Sequence, residues 1–339
     1  MASKKIGKQT IKFLKPPHII AAASIVGPKE GKGPLRTCFD EILSDDLYGE
    51  KSFELAESKL LRETVKKAIQ KSDKKISDIE YMFSGDLLNQ IMSTSFAARE
   101  LAIPFLGLYG ACSTMAESLS LGALFIDGEY ANYVVCATSS HFSSAERQYR
   151  FPLEHGNQRG PTSQWTVTGA GACILSSLGE GPQITYATIG KVIDLGIKDS
   201  NNMGAAMAPA AVDTIVTHFK DCGCTPDDYD LIVTGDLGTI GKEIAEEMIF
   251  EKGYNIGKIY DDCGVLIFDH KVQNTYAGGS GCGCCASVLC GYIYKELQRK
   301  KLNKVLFVST GALLSTTSSQ QGQSIPAIAH AITIENQKK

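Results

Sequence analysis

The stretch LGLYGACSTMAESLSLGALFIDG, residues 106–128, decides the fold, because it places Cys112 where an apolar strand turns into a helix. The residues after this turn are small or apolar at helical spacing. A thiol at a helix N-terminus lies at the positive end of the helix dipole, where its pKa falls and the thiolate is favoured. Cys112 is therefore a candidate nucleophile for acyl transfer, with a buried cysteine that only fills space as the open alternative.

The pattern around this stretch occurs twice along the chain. Short β-branched runs alternate with longer amphipathic ones, which is typical of an α/β fold. The strand endings repeat in the same order: IEYMFSGDL at 79–87 returns as YDLIVTGDLG at 229–238, and YVVCATSS at 133–140 returns as KVLFVSTG at 304–311. A period of about 150 to 170 residues is too long for a solenoid. It predicts two duplicated halves, residues 1–181 and 182–339.

Composition limits the function classes. The chain has 339 residues, of which 43% are hydrophobic, with a formal net charge of -3 and a pI near 6.1. Such a chain can bury a large core, and its charge gives no reason to expect nucleic acid as a partner. No apolar run reaches the roughly 18 residues that span a bilayer, and the N-terminus has no signal-peptide pattern. We expect a protein that stays in the compartment where it is made.

The 11 cysteines are an odd number in a chain without an export signal, which favours reduced thiols. CGC at 222–224 and GCGCC at 281–285 lack the C-x-x-C and His spacing of a zinc site. We interpret them as small packing residues and expect no metal site. Gly169 and Gly171 are interpreted as close-packing residues too, because no G-x-G-x-x-G opens a helix there. No cofactor is expected.

The duplicated pattern and the GACST turn resemble the thiolase superfamily, which includes thiolases and 3-oxoacyl synthases. Residues 139–172, SSHFSSAERQYRFPLEHGNQRGPTSQWTVTGAGA, and 234–244, TGDLGTIGKEI, closely resemble the stage V sporulation protein AD family of spore-forming bacteria. The resemblance implies a thiolase-like fold of two βαβαβαββ halves in α/β/α/β/α layers. It also implies binding of dipicolinic acid, pyridine-2,6-dicarboxylate, and its uptake into the developing spore with membrane proteins as partners. A peripheral position at the spore inner membrane follows from the same resemblance.

Superfamily enzymes pair the cysteine with His and His, or His and Asn, from the second half. The first of these positions is filled here by Gly235 and Asp236, and the loop that should carry the second reads YAGGSGCG, residues 276–283. Neither loop offers an imidazole. We therefore expect a protein that is not an enzyme; an acyltransferase or 3-oxoacyl synthase-like enzyme that uses Cys112 stays open as the alternative. Superfamily enzymes usually dimerise, which implies a homodimer through the strand YANYVVCATSS, residues 130–140.

The polar segment 141–167 is the expected source of ligand contacts. A flat aromatic dianion calls for guanidinium groups and an apolar slot, and this segment offers Arg147, Arg150 and Arg159 among aromatic residues. Arg147 is the leading candidate, with a surface ion pair to Glu146 or Glu154 as the alternative. His141 and His155 are the histidines that could approach Cys112.

The glycine-rich loop 276–283 would let a ligand approach the backbone closely, and Cys112 would line the floor of the binding pocket. Whether calcium travels with the ligand is open. The predicted ligand-binding residues are Cys112, Arg147, Arg150, His141, Asp236, Gly278 and Gly279.

Overall fold

The computed structural model describes residues 3–149 and 159–337, which form fifteen strands and eleven α-helices. The strands are β1 Lys5–Ile6, β2 Thr10–Lys12, β3 His18–Val26, β4 Glu41–Ile42, β5 Tyr81–Gly85, β6 Phe105–Gly107, β7 Tyr133–Ser140, β8 Trp165–Thr166, β9 Gly169–Ser176, β10 Gln183–Thr188, β11 Leu231–Thr234, β12 Tyr260–Asp262, β13 Gly279–Ser280, β14 Lys304–Ala312 and β15 Ala327–Glu335. The helices are α1 Phe53–Lys71, α2 Met92–Leu101, α3 Thr114–Asp127, α4 Phe142–Tyr149, α5 Met203–Cys222, α6 Gly238–Glu251, α7 Cys263–Ile267, α8 His270–Gln273, α9 Cys282–Val288, α10 Tyr294–Gln298 and α11 Thr316–Gln320.

Two sets of five strands share one topology. The first set has the order β6-β5-β7-β9-β3, in which β6, β5 and β7 are parallel and the last two pairings are antiparallel. The second set, β12-β11-β14-β15-β10, repeats the same order and the same directions. The two sets meet where Gln183 of β10 pairs with His18 of β3. The repeat of elements expected from the sequence is confirmed.

Helices cover and separate the two sets of strands. The helices α1 and α2 pack on the first set and α5 and α6 on the second, each with its own apolar cluster. Between the sets lie α3 and α9, whose side chains share the largest cluster with strands of both sets. The result is five layers, α/β/α/β/α, which is the layering that the resemblance implied.

Close backbone packing holds the middle layer together. A Cβ atom at Gly171 in β9 would lie 2.3 Å from the carbonyl oxygen of Ala286 in α9. Cys282, Cys284 and Cys285 at the start of α9 are fully buried. These contacts confirm that glycines of β9 and cysteines of GCGCC are packing residues.

The strand β7 lies inside the sheet and does not form its edge. It pairs with β5 on one side and with β9 on the other. A second copy therefore cannot extend the sheet through residues 133–140, and the choice of this strand for a dimer interface was wrong. Among the strands that the structure describes, the free edge on this side is β6, where Leu106 is 44% exposed. Among the described residues, we find no helix that is both long and apolar enough to cross a bilayer.

Candidate functional site

The turn that carries Cys112 is built by local hydrogen bonds. Ala111 has a positive φ of 50°, and one 3-10 turn, Ala111–Ser113, leads into α3. The hydroxyl of Ser113 donates to the carbonyl of Gly110 at 2.7 Å, and Thr114 Oγ1 donates to the carbonyl of Ala111 at 2.7 Å. The turn is thus fixed at its backbone, and the sulfur is placed at the helix start as the sequence predicts.

A pocket opens beside Cys112. The space free of protein atoms in the pocket and at its mouth, open solvent included, amounts to about 490 Å³. Elements of both halves contribute to its wall, and Thr166 and Ser280, which are register partners in the β8–β13 pair, lie side by side in it. The lining consists of Leu87, Tyr109, Ala111, Cys112, Ala145, Glu146, Tyr149, Thr166, Met203, Ser280, Ala312 and Leu314.

Asp236 lies directly behind the thiol. It follows β11 and is fully buried. Its carboxylate accepts hydrogen bonds from Thr310 Oγ1 at 2.7 Å, from the Gly281 amide at 2.9 Å and from Ser280 Oγ at 3.1 Å. Its carboxyl group and the Cys112 thiol also affect each other's pKa, so the two groups, both expected at the site, lie close together.

The electrostatics of this contact are opposite to the sequence expectation. Burial raises the pKa of the Cys112 thiol well above its usual value, and the negative charge of Asp236 raises it further. The helix dipole alone would lower this pKa. Burial, the largest cause, and the charge of the nearby carboxylate together outweigh the partial charge at the helix start, because an apolar environment and a like charge both disfavour the thiolate. Cys112 is held as a neutral thiol.

No histidine lines this pocket in the part of the chain that the structure describes. The Nε2 atom of His141 lies 2.8 Å from the carbonyl oxygen of Asp46, and its ring packs on Phe53 at 5.3 Å between centroids. Burial lowers the pKa of His141, so its imidazole is neutral near pH 7. The structure thus turns His141 away from Cys112, and His155 lies outside the described residues.

The arginines are distributed differently from the prediction. Arg147 is 56% exposed at its side chain and forms an ion pair with Glu54 of α1, outside the pocket. In the described contacts Arg147 pairs with Glu54 and not with Glu146, so the surface ion pair of the alternative is formed with a different acid; Glu154 lies outside the described residues. Arg150 lies outside the described residues.

Arg159 has a guanidinium that contacts the pocket wall through Glu146, although Arg159 does not itself line the pocket. Its Nη2 atom lies 2.8 Å from Glu146 Oε2, and its Nη1 donates to the carbonyl of Gln164 at 2.8 Å. It stacks over the rings of Phe142 and Trp165, which are themselves parallel at 3.9 Å. A guanidinium held between aromatic faces and a buried carboxylate is preorganised for one geometry.

The glycines of the 276–283 loop do not face the pocket. Gly278 and Gly279 are buried, and a Cβ atom at Gly278 would lie 2.6 Å from the carbonyl oxygen of Gly264. Their small size serves packing against α7 instead of the approach of a ligand. Ser280, the next residue, is the one from this loop that reaches the pocket.

Sequence reasoning missed several residues of the wall, among them Glu146, Tyr109 and Tyr149. The signal was present in FSSAERQY, which forms α4. Helical spacing places Ala145 and Tyr149 on one face with Glu146 beside them, while Arg147 points elsewhere. Because the segment 141–167 was considered for its polar and aromatic residue types alone, this periodicity was not used.

Solved structures with this architecture include enzymes. The human mitochondrial 3-ketoacyl-CoA thiolase in complex with CoA matches with a TM-score of 0.63 at 13% identity, covering 96% of this chain and 99% of that one. The OleA E117Q protein of Xanthomonas campestris gives 0.61 at 12% identity, with 97% and 100% covered. The 3-oxoacyl-[acyl-carrier-protein] synthase III of Aquifex aeolicus VF5 gives 0.58 at 10% identity, with 94% and 99% covered. At these identities the similarity shows the thiolase-like fold alone.

The family follows from closer matches. The model of the stage V sporulation protein AD family matches residues 7–335. The stage V sporulation protein AD of Bacillus subtilis (strain 168) is 47% identical over 332 residues, which is 98% of each chain. The chain, with a thiolase-like fold and a buried thiol–carboxylate contact, belongs to the stage V sporulation protein AD family.

Proposed function

We propose that this sporulation protein binds dipicolinic acid in the Cys112 pocket, without acyl transfer, and supports its uptake into the developing spore. The observation that carries the proposal is the position of the buried Asp236 carboxylate beside the Cys112 thiol, whose pKa it raises. A nucleophilic cysteine needs a base that takes its proton and a donor that holds the developing oxyanion. A carboxylate at this position raises the thiol pKa and offers no proton donor while it is ionised.

The cost to catalysis is large. Loss of one oxyanion donor alone costs roughly 3 kcal/mol of transition-state stabilisation. The carboxyl oxygens of Asp236 already accept hydrogen bonds from Thr310, Ser280 and Gly281, so the group is fixed where it lies. The pocket is better suited to holding a molecule than to transforming it.

The shape and the wall of the pocket support a flat aromatic ligand. The apolar side chains of Leu87, Met203 and Leu314 offer a slot for a ring. The phenol oxygens of Tyr109 and Tyr149 lie 3.0 Å apart at its rim, and Tyr149 donates to the carbonyl of Leu87. A pyridine ring fits such a slot, with its carboxylates directed to the polar groups at the two ends.

The charge of the wall favours the calcium chelate over the free dianion. Glu146 and Asp236 are both buried in this region, and Thr166 and Ser280 donate their hydroxyl protons to them at 2.9 and 3.1 Å. The wall therefore presents acceptor oxygens, with Arg159 as the neighbouring cation. Calcium prefers oxygen ligands and would remove the repulsion between ligand and wall.

The test is calorimetric titration of the full chain with dipicolinate, with and without Ca²⁺, and separately with an acyl-CoA. We expect saturable heat with dipicolinate, stronger with Ca²⁺, and no covalent adduct on Cys112 by intact mass after acyl-CoA treatment. Absence of heat in both dipicolinate titrations would refute the ligand. Equal affinity with and without Ca²⁺ refutes the chelate, and an acyl adduct with turnover refutes the non-catalytic assignment.

The partners proposed are membrane proteins of the same transport process, with the chain peripheral at the spore inner membrane, and a second copy of the chain. For the homodimer, the free edge of β6 offers unpaired backbone groups beside the exposed Leu106 and Tyr109. Analytical ultracentrifugation of the parent and of Leu106→Lys tests this assembly. A parent that sediments as a monomer would refute it.

A further inference from the structure

We propose a metal site for one soft divalent cation, such as Zn²⁺, formed by His218, Cys222 and Cys224 at the C-terminal end of α5. The Nδ1 atom of His218 lies 3.7 Å from the sulfur of Cys222, and the ligand atoms of all three residues lie within 4.8 Å of one another. Zinc bonds of about 2.0 to 2.3 Å in a tetrahedron place neighbouring ligand atoms roughly 3.5 to 3.8 Å apart. Small side-chain rotations are enough to bring the three ligand atoms to these distances.

The local backbone brings the three side chains together. His218 and Cys222 are four residues apart on α5 and so share one face of the helix. Gly223 ends the helix with a positive φ of 62°, and the reversal directs Cys224 back toward that face. The Cys224 amide donates to the carbonyl of Phe219 at 3.1 Å, which fixes the turn. The position also suits a cation, because the C-terminal end of a helix carries partial negative charge.

Hydrogen bonds from neighbouring residues orient the proposed ligands. The Nε2 atom of His218 lies 2.6 Å from the hydroxyl of Tyr229, and that hydroxyl lies 3.7 Å from the sulfur of Cys224. With Nε2 protonated and donating to Tyr229, Nδ1 is left to bind the metal, and the phenol proton is directed to the thiolate. Thr188, which now contacts Nδ1 at 2.8 Å, has a second partner in Thr10 at 2.9 Å. Displacing it from Nδ1 therefore leaves no polar group unpartnered.

The charges balance in such a site. Two thiolates and a neutral imidazole compensate a divalent cation fully. Both sulfurs are partly accessible, while His218 is fully buried, so a cation can enter from the surface. The proposed site differs from our interpretation of the sequence. That interpretation considered the spacing within CGC at 222–224 and did not include His218, which lies four residues before Cys222.

The first experiment is a competitive titration of the reduced full chain with Zn²⁺ against a chromogenic chelator. We expect one equivalent to bind, and Cys222→Ser and Cys224→Ser each to weaken binding by about 100-fold, because a thiolate ligand is lost. Cys38→Ser is the matched control, since Cys38 is also half-buried and reduced but lies in another part of the fold, and it should bind like the parent. Binding that is absent, or equal in all four proteins, overturns the proposal.

A second measurement needs no substitution. Alkylation of the parent, mapped by peptide mass, should show Zn²⁺ protecting Cys222 and Cys224 while Cys38 reacts at an unchanged rate. Co²⁺ in place of Zn²⁺ should give a thiolate-to-metal absorption band in the near ultraviolet. Equal alkylation of both thiols with and without Zn²⁺ would contradict the site. None of these readouts depends on dipicolinate.

Discussion

At the scale of single residues, the buried Asp236 carboxyl group beside Cys112 is the feature on which the proposed binding function rests. The sequence predicted that both residues lie at the site, because each follows a strand of the duplicated pattern. The sequence predicted a lowered thiol pKa, and that sign was wrong. Burial and the nearby carboxylate raise the pKa more than the helix dipole lowers it, and only the three-dimensional arrangement shows which effect is larger.

Replacement of Asp236 by Asn should make Cys112 more reactive. Removing the negative charge lowers the thiol pKa, and a fall of one unit raises the thiolate fraction about tenfold at a given pH. Burial, the larger cause, remains, so the pKa stays above its usual value. The measurement is the pH dependence of iodoacetamide labelling at Cys112, with Asp227→Asn as a surface control. An unchanged labelling profile in a folded Asp236→Asn protein would show that the carboxylate has no influence on the thiol.

At the scale of elements, the orientation of α4 decides which arginine matters. The sequence named Arg147 because it lies close in the chain to the end of β7, but the helix turns it outward to Glu54. Arg159 reaches the pocket wall through its ion pair with Glu146, a contact between residues 13 positions apart that no local pattern shows. Sequence reasoning identified the segment and could not orient its side chains.

The two arginines should therefore respond differently to truncation. Arg159→Ala should weaken binding of dipicolinate by about tenfold, since a charge-assisted hydrogen bond contributes roughly 1.5 to 3 kcal/mol and part of that is lost to competition with Glu146. Arg147→Ala should bind within about threefold of the parent, because exposed ion pairs contribute little. Calorimetry of both variants decides this. A larger loss with Arg147→Ala would restore the assignment made from the sequence.

The contact between β9 and α9 gives a second prediction at this scale. Gly171→Ala should destabilise the fold by on the order of 2 kcal/mol or more, because the new methyl would overlap the carbonyl oxygen of Ala286. Gly160→Ala is the control, since its nearest neighbour, Ser163 Oγ, is 4.0 Å away. Chemical denaturation measures both free energies of unfolding. Equal stability of the two variants would mean that β9 and α9 separate at little cost.

At the scale of the whole molecule, the duplicated topology was predictable because each half repeats the order of its strand endings. The order in which the strands pair could not be predicted. A central strand such as β7 and an edge strand have similar sequences when the faces of both are buried. That is why the dimer interface was placed on β7, whose two neighbours occupy both its edges. The free edge became visible only when all strands were placed.

Buried acids make the stability of the whole molecule depend on pH. Burial raises the pKa of Glu30 to about 8, so the folded state holds a proton that the unfolded state releases near pH 4.5. The contribution of Glu30 to the free energy of unfolding is therefore present at low pH and falls as the pH rises from about 4.5 to about 8. The free energy of unfolding should fall by about 3 kcal/mol more in the parent than in Glu30→Gln between pH 5 and pH 8. Parallel pH profiles of the two proteins would contradict a protonated Glu30.

We expect the Cys112 pocket to hold dipicolinate, and the most direct test is to block the mouth of that pocket. Met203 is a partly exposed residue of the wall at the start of α5, so Met203→Trp should narrow the entrance without disturbing the core. Met92→Trp is the matched control on α2, at a side chain 37% exposed and outside this pocket. Calorimetric titration with dipicolinate and Ca²⁺ should give saturable heat for the parent and for Met92→Trp and none for Met203→Trp. Binding by Met203→Trp with the affinity of the parent would place the ligand elsewhere and contradict the account.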